Sequence, residues 1–279
     1  MPEVTIPAWY YQQFDADFSK EYPSDGFGGW KKADLPFSME HSALIVMHAW
    51  DLGDRDTYPG WHRVVEYQPR AEHIAAVVFP RIIKAARDNH LMVVHVGAAD
   101  YSYLNKYPGY EAACAITERV LGGDGHGKTA PPLPAPEADH ASNAILDFKS
   151  INSYVGLHNR EDVARGFANT DFMENAAPAG DEYVVGNSEQ LLAVGLDKGI
   201  NHLVYIGFAL DGCLLTSPGG MCDMGRYGFI CSTIRQATTA IEHKGTTKTE
   251  TAKQIALWRV GLMYGLVYED EDFIKGIDR

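Results

Sequence analysis

Chemistry in this sequence concentrates where apolar runs give way to polar or glycine-rich ones. Cys213 closes the run Leu203-Val204-Tyr205-Ile206-Gly207-Phe208-Ala209-Leu210-Asp211-Gly212. A thiol placed where a buried strand stops and a helix begins meets unpaired backbone N–H groups, which favour thiolate over thiol. Such a thiolate is a nucleophile; the competing reading of a free cysteine is a small buried hydrophobe. His48 directly follows the apolar run Ala43-Leu44-Ile45-Val46-Met47. Its imidazole titrates near working pH, so it is the candidate base for the thiol. Backbone N–H groups from Leu210 to Cys213 are the candidate oxyanion donors.

His95, Asp100, Asp211 and Asn187 also fall just beyond or near the ends of apolar runs and are candidate substrate contacts. Asp51, Asp54 and Asp56 sit in a turn-rich segment where carboxylates cap loops. Imidazoles at His48 and His95 with the Asp100 carboxylate are chemically fit for a metal. Their spacing has no helical or hairpin logic that brings them together, so no metal is assigned. The phosphate-cradling and dinucleotide fingerprints are absent, and so is the Gly-x-Ser-x-Gly elbow, so no cofactor is assigned. Trp50, Trp61, Tyr101 and Tyr103 are candidates for an aromatic pocket wall.

These residues need elements to position them. Ala43–Met47, Leu91–Val96, Tyr183–Val185, the run before Cys213 and Phe229–Ile234 read as strands, the longer ones apolar on both faces. Between them, Ala71–Asn89, Tyr110–Leu121 and Ser188–Lys198 have helical character, with Pro80 set to kink or restart the first. Gly199 ends the third, with Lys198 in its last turn. Thr251–Val267 reads as a closing amphipathic helix with Ile255, Trp258, Leu262 and Leu266 on one face. Strand–helix alternation of this kind gives an α/β fold: three layers, with a mainly parallel central sheet flanked by helices. In such sheets the active site lies beyond the carboxyl ends of the strands. Residues 1–42, rich in aromatics and punctuated by glycine, read as an N-terminal arm ahead of the body at 43–279, lying on it or locking a homo-oligomer. The glycine- and proline-rich stretch Gly122–Pro136 reads as a lid or an oligomer contact.

Composition bounds the rest. The 279 residues are 46% hydrophobic and 22% charged, ordinary values for a globular chain. A net charge of −13 argues against nucleic acid and against anionic membrane surfaces as partners, leaving a small molecule as the expected ligand. No signal-like start and no apolar run of bilayer length is present. The four cysteines, Cys114, Cys213, Cys222 and Cys231, have no metal-ligand spacing and fit reduced thiols in a cytoplasm.

From Gly199-Ile200 through the strand, Gly207 and on to Cys213-Leu214, the sequence resembles the isochorismatase-like cysteine hydrolases. Ala43–Met47 resembles the first strand of that family, Asp181–Val185 the third, and Gly228-Phe229 with Arg235–Thr238 the next, so the likeness spans about residues 43–267. The resemblance implies a triad of Asp, Lys and Cys. Cys213 fills the last position. The Asp position falls on His48, or on Ala49 if the register slips, and the Lys position falls near Gly186 or Asn187. Lys149 is the upstream lysine to weigh as a substitute, and the metal-binding Asp and His pattern of the nicotinamidase branch is not evident. Two functions are therefore expected in competition. One is a cysteine hydrolase of a small amide or related C–N bond, with His48 replacing the acid as base. The other is a lapsed member that binds a small molecule or a protein partner without turnover.

Overall fold

A sheet of eight strands runs through the molecule, built where the chain is apolar on both faces. The computed structural model describes residues 3–98, 102–126 and 140–278. In chain order the strands are β1 (Glu3–Gln12), β2 (Gly29–Ser38), β3 (Ser42–Met47), β4 (Trp50–Asp51), β5 (Met92–Val96), β6 (Asp171–Phe172), β7 (Tyr183–Val185), β8 (His202–Gly207), β9 (Ile230–Thr238) and β10 (Val267–Tyr268). The helices are α1 (Pro59–Val64), α2 (Gln68–Val77), α3 (Phe79–Asp88), α4 (Pro108–Leu121), α5 (His140–Asn152), α6 (Arg160–Ala168), α7 (Ser188–Lys198), α8 (Met221–Arg226), α9 (Thr251–Arg259) and α10 (Asp270–Ile277). The sheet order is β2-β1-β10-β9-β8-β3-β5-β7, and β4 pairs with β6 apart from it. Every pairing from β10 to β7 is parallel, while β1 pairs antiparallel with both β2 and β10.

Alternation along β3 shows why the sheet is covered on both sides. Leu44 and Val46 join a core with Phe79 and Ile82 of α3 and Phe273 of α10. Ala43, Ile45 and Met47 join a second core with Leu191 and Val194 of α7, Met221 of α8 and Leu257 of α9. Each such aliphatic side chain removed from water contributes roughly 1.5–3 kcal/mol, so a strand buried on both faces is pinned in register. The expected three-layer α/β architecture is the one observed. Among the described residues no helix is long and apolar enough to cross a membrane.

Two local expectations change and one is sharpened. Residues 3–38 are not an irregular arm: β1 and β2 make a ten-residue ladder, from Glu3 opposite Ser38 to Gln12 opposite Gly29, that widens the sheet. Ile6, Ala8 and Phe37 are buried beneath it. As expected of Pro80, the Ala71–Asn89 helix restarts: it is two helices meeting at Val78, with Pro80 in the first turn of α3, where its missing N–H is not needed; Val77 points outward, 49% exposed. The closing helix ends at Arg259 and widens into a π-helical turn, Val260–Tyr264. Its buried face is Ala256, Leu257, Val260 and Gly261, while Ile255 is half exposed. Gly261 explains the rotation: a Cβ there would stand 2.7 Å from the Trp30 ring of β2, so the helix docks by its bare backbone.

Candidate functional site

The carboxyl ends of β3, β5, β7 and β8 meet at one pocket of about 380 Å³. His48 reaches it first. It follows β3 with a left-handed φ of 52°, and its backbone N–H donates to the Val96 carbonyl at 3.0 Å. The β8 backbone presses close here: a Cβ on Gly207 (φ 137°) would stand 1.8 Å from the Met47 carbonyl oxygen. The His48 ring is 6% exposed and stacks on Trp50 with centroids 4.4 Å apart. Burial pulls its pKa down to about 4, with the backbone of Gly97 acting in the opposite sense. Its Nδ1 is buried without a hydrogen-bond partner. The imidazole is therefore neutral at working pH, with a polar atom unspent.

Cys213 enters from the other side. Beyond β8, Phe208 stacks on Phe79 at 5.3 Å, and the chain turns through one π-helical turn, Leu210–Leu214, of which Cys213 is the fourth residue. The strand stops at Gly207 and the helical turn opens at Leu210, so the thiol stands in a first turn whose donors are partly spent. Leu210 N–H donates to the Thr239 carbonyl at 2.7 Å, and Gly212 and Leu214 both donate to the Ala209 carbonyl at 3.3 and 3.1 Å. Two of the expected oxyanion donors are thus already used. Asp211 turns away from the pocket and accepts from the Ile241 N–H at 2.8 Å. Burial, the largest influence on it, raises its pKa.

Gly97, Ala98, Gly186 and Asn187 complete one wall of the pocket, with Trp50, Ser217 and Pro218 on the others. Asn187 lines it as expected, but its amide has a structural task. Oδ1 accepts the Gln190 N–H at 2.9 Å, which caps α7, and Nδ2 donates to the His126 carbonyl at 2.9 Å. Ser217, missed in the sequence, lies one turn after Cys213, and its N–H donates to the Cys213 carbonyl at 3.0 Å. A four-residue spacing from the thiol was the available signal. Among the described residues the pocket lining carries no carboxylate and no lysine. His48, Gly186, Asn187 and Cys213 all line this one pocket.

The other expected site residues go elsewhere. His95 is fully buried in β5, and its Nε2 pairs with Glu182 Oε2 at 2.9 Å. Arg87 reaches the same carboxylate from α3, Nε to Oε1 at 2.7 Å and Nη2 to Oε2 at 2.8 Å. Burial favours the neutral acid at Glu182, yet the hydrogen bonds from Arg87 and His95 outweigh it and hold the pKa at about 2. Burial is also the dominant influence on His95 and lowers its pKa, against the pull of Glu182. His95 does not line the Cys213 pocket. Asp100 and Tyr101 lie outside the described residues, as does 127–136 of the expected lid. Among the described residues no three metal-ligating side chains stand together. Lys149 sits on α5 and lines a separate groove. Of the expected aromatic wall, Trp50 is in place, Trp61 is core, and Tyr103 packs edge-on against Phe172 at 5.3 Å.

No family model and no curated protein sequence matches the chain. Among solved structures it is similar to a cysteine hydrolase from Pseudomonas syringae, with 12% identity and a TM-score of 0.47 over 87% of this chain and 95% of that one. It is also similar to an isochorismatase-like hydrolase from Alkaliphilus metalliredigens, at 14% identity and TM-score 0.43 over 85% and 98% of the two chains. A third is a putative isochorismatase from Burkholderia xenovorans, at 14% and 0.44 over 86% and 88%.

Proposed function

We propose that the chain is a cysteine hydrolase of a small amide or related C–N bond, with Cys213 the nucleophile and His48 the proton acceptor. The observation that carries this reading is the convergence on one pocket of a partly exposed thiol and a neutral imidazole whose Nδ1 has no partner. In the acylation step the Cys213 sulfur bonds to the carbonyl carbon and its proton passes to His48. The C–N bond breaks and the departing amine takes that proton back. Water then cleaves the thioester, releasing the acid and restoring the thiol.

The depressed pKa sets the energetics. A base with its pKa near 4 holds a proton only weakly, so it gives the proton back readily to the departing amine. His48 is thus a weak base that is always in its accepting form. A second reading, binding without turnover, is supported by the uncharged lining of the pocket, since neither the family acid nor the family lysine is replaced in kind.

One experiment separates them. The protein is mixed with p-nitrophenyl acetate, acid-quenched at intervals and weighed intact by mass spectrometry, with Cys213→Ala and His48→Gln in parallel. An acetyl adduct on Cys213 that forms and decays, slowed about 100-fold or more by His48→Gln, is the hydrolase result. An adduct that persists, or none at all, leaves the binding reading.

A further inference from the structure

An apolar groove of about 510 Å³ opens between α5 and α6, outside the pocket just described. Leu146, Tyr154, Val155, Val163, Ala164 and Phe167 line it. Lys149 and Arg160 stand among them, and no carboxylate does. Arg160 braces the groove by donating to the Ser150 carbonyl and hydroxyl at 2.9 and 3.0 Å.

The groove and the Cys213 pocket share a wall. Phe167 meets Trp50 edge-on with centroids 6.1 Å apart, and the opposite side of this aromatic stack is the Trp50–His48 contact at 4.4 Å. Tyr67 packs in one apolar cluster with Trp50, Val155 and Phe167. Burial and then the charge of Cys213 act on both Tyr67 and Tyr154, raising each pKa.

We infer that this groove is the second half of the Cys213 site and takes the apolar acyl chain of a substrate whose carbonyl lies against the thiol. The inference rests on the proposed hydrolase reading only for the identity of the reacting group. Because Trp50 of the pocket touches Phe167 of the groove, a chain passing this aromatic pair reaches from one to the other, which favours it over a separate partner docking on α5. The cationic, carboxylate-free lining admits a neutral or anionic acyl group and rejects a cationic one.

The test is affinity labelling, which needs no turnover. Iodoacetamide and N-octyl-iodoacetamide are compared on the intact protein, each attaching carbon to sulfur with loss of iodide. Sites are resolved by peptide mass spectrometry, and Cys114 and Cys222, also partly exposed, serve as internal references. Ala164→Trp fills the groove and Leu146→Asp charges it; both positions are exposed, so folding is spared. The expected result is labelling of Cys213 by the octyl reagent at least about tenfold faster, a gain of about 1.4 kcal/mol, with saturation, and loss of that advantage in both variants. An equal acceleration at Cys114 and Cys222, or an advantage that survives both variants, overturns it. So does sedimentation showing a dimer that Leu146→Asp dissociates, because the groove would then be an interface between copies. If the octyl advantage stands while p-nitrophenyl acetate leaves no adduct, the hydrolase reading falls and the groove assignment remains. A decaying adduct without the advantage overturns the groove alone.

Discussion

His48 and His95 stand near the ends of neighbouring parallel strands, two residues apart in register, since Val46 pairs with His95 and Met47 with Val96. Both are buried, and burial lowers the pKa of both. What differs is company. His95 has a carboxylate at hydrogen-bond distance, and that carboxylate has an arginine. His48 has a tryptophan face and the Gly97 backbone but no carboxylate, and the Nδ1 of each ring is buried without a partner. A buried polar group that is paired contributes to holding the fold, while one left unpaired costs stability unless a ligand completes it. The contrast separates a structural imidazole from a candidate catalytic one, although each ends an apolar run in the sequence.

The largest effect expected from this contrast is on the paired side. Glu182→Gln should remove about 3 kcal/mol of stability, the lower end of the cost of breaking a buried ion pair, because Arg87 is partly exposed. Urea unfolding measures it, and Cys213 labelling should not change; a loss below about 1 kcal/mol would mean that the cluster does not hold β5 to α3.

Acid comes next. His48 and His202 both have folded pKa values of about 4 against about 6.5 in the unfolded chain. Between those values the unfolded state takes up protons that the native state refuses, so stability falls as pH drops from 6.5 towards 4 and is flat above. The two together set an upper bound of about 7 kcal/mol, and His48→Gln should remove about half of the slope. Glu182 adds its own loss only below about pH 4.5, as the pH falls towards its folded value of about 2. Unfolding free energies at pH 7, 5.5 and 4.5 resolve the two windows, and a slope unchanged by His48→Gln would place the effect elsewhere.

On the unpaired side, the roughly 100-fold loss of acylation in His48→Gln corresponds to about 2.7 kcal/mol of barrier. It should come with less than about 1 kcal/mol of stability change; a variant equally damaged in both would make His48 another His95. Smallest is Trp50→Leu, which removes a stacked ring worth about 0.5–1.5 kcal/mol. It lets water towards His48, so its pKa should rise from about 4 towards 6.5 in an NMR titration.

Much of this arrangement was legible in advance, for a local reason. β3, β5 and β8 are buried on both faces, so their sequences are continuous apolar runs, and topology alone then gathers His48, Asn187 and Cys213 at one edge. Side-chain direction was not legible. Asp211 and the Asn187 amide nitrogen are held by backbone partners, Ile241 and His126, that lie in other segments. The pairing of His95 depends on Glu182, 87 residues away. β1 was hidden because Pro7 and its string of aromatics break the alternating pattern, and its neighbour β10 lies at the far end of the chain. The face of α9 was misread because a glycine, Gly261, rather than an apolar side chain makes the closest contact.

The junction of β1 with β10 has a consequence for the order of assembly. The hairpin of residues 3–38 is made early, yet the strand that joins it to the parallel sheet, Val267–Tyr268, is synthesised about 230 residues later. At roughly 5–20 residues per second the hairpin waits some tens of seconds with an unpaired edge, while β3, β5, β7 and β8 can already close around the Cys213 pocket. Joining first to last is a slow, non-local step, and until it is complete the nascent chain offers β1 as a template to any other strand within reach.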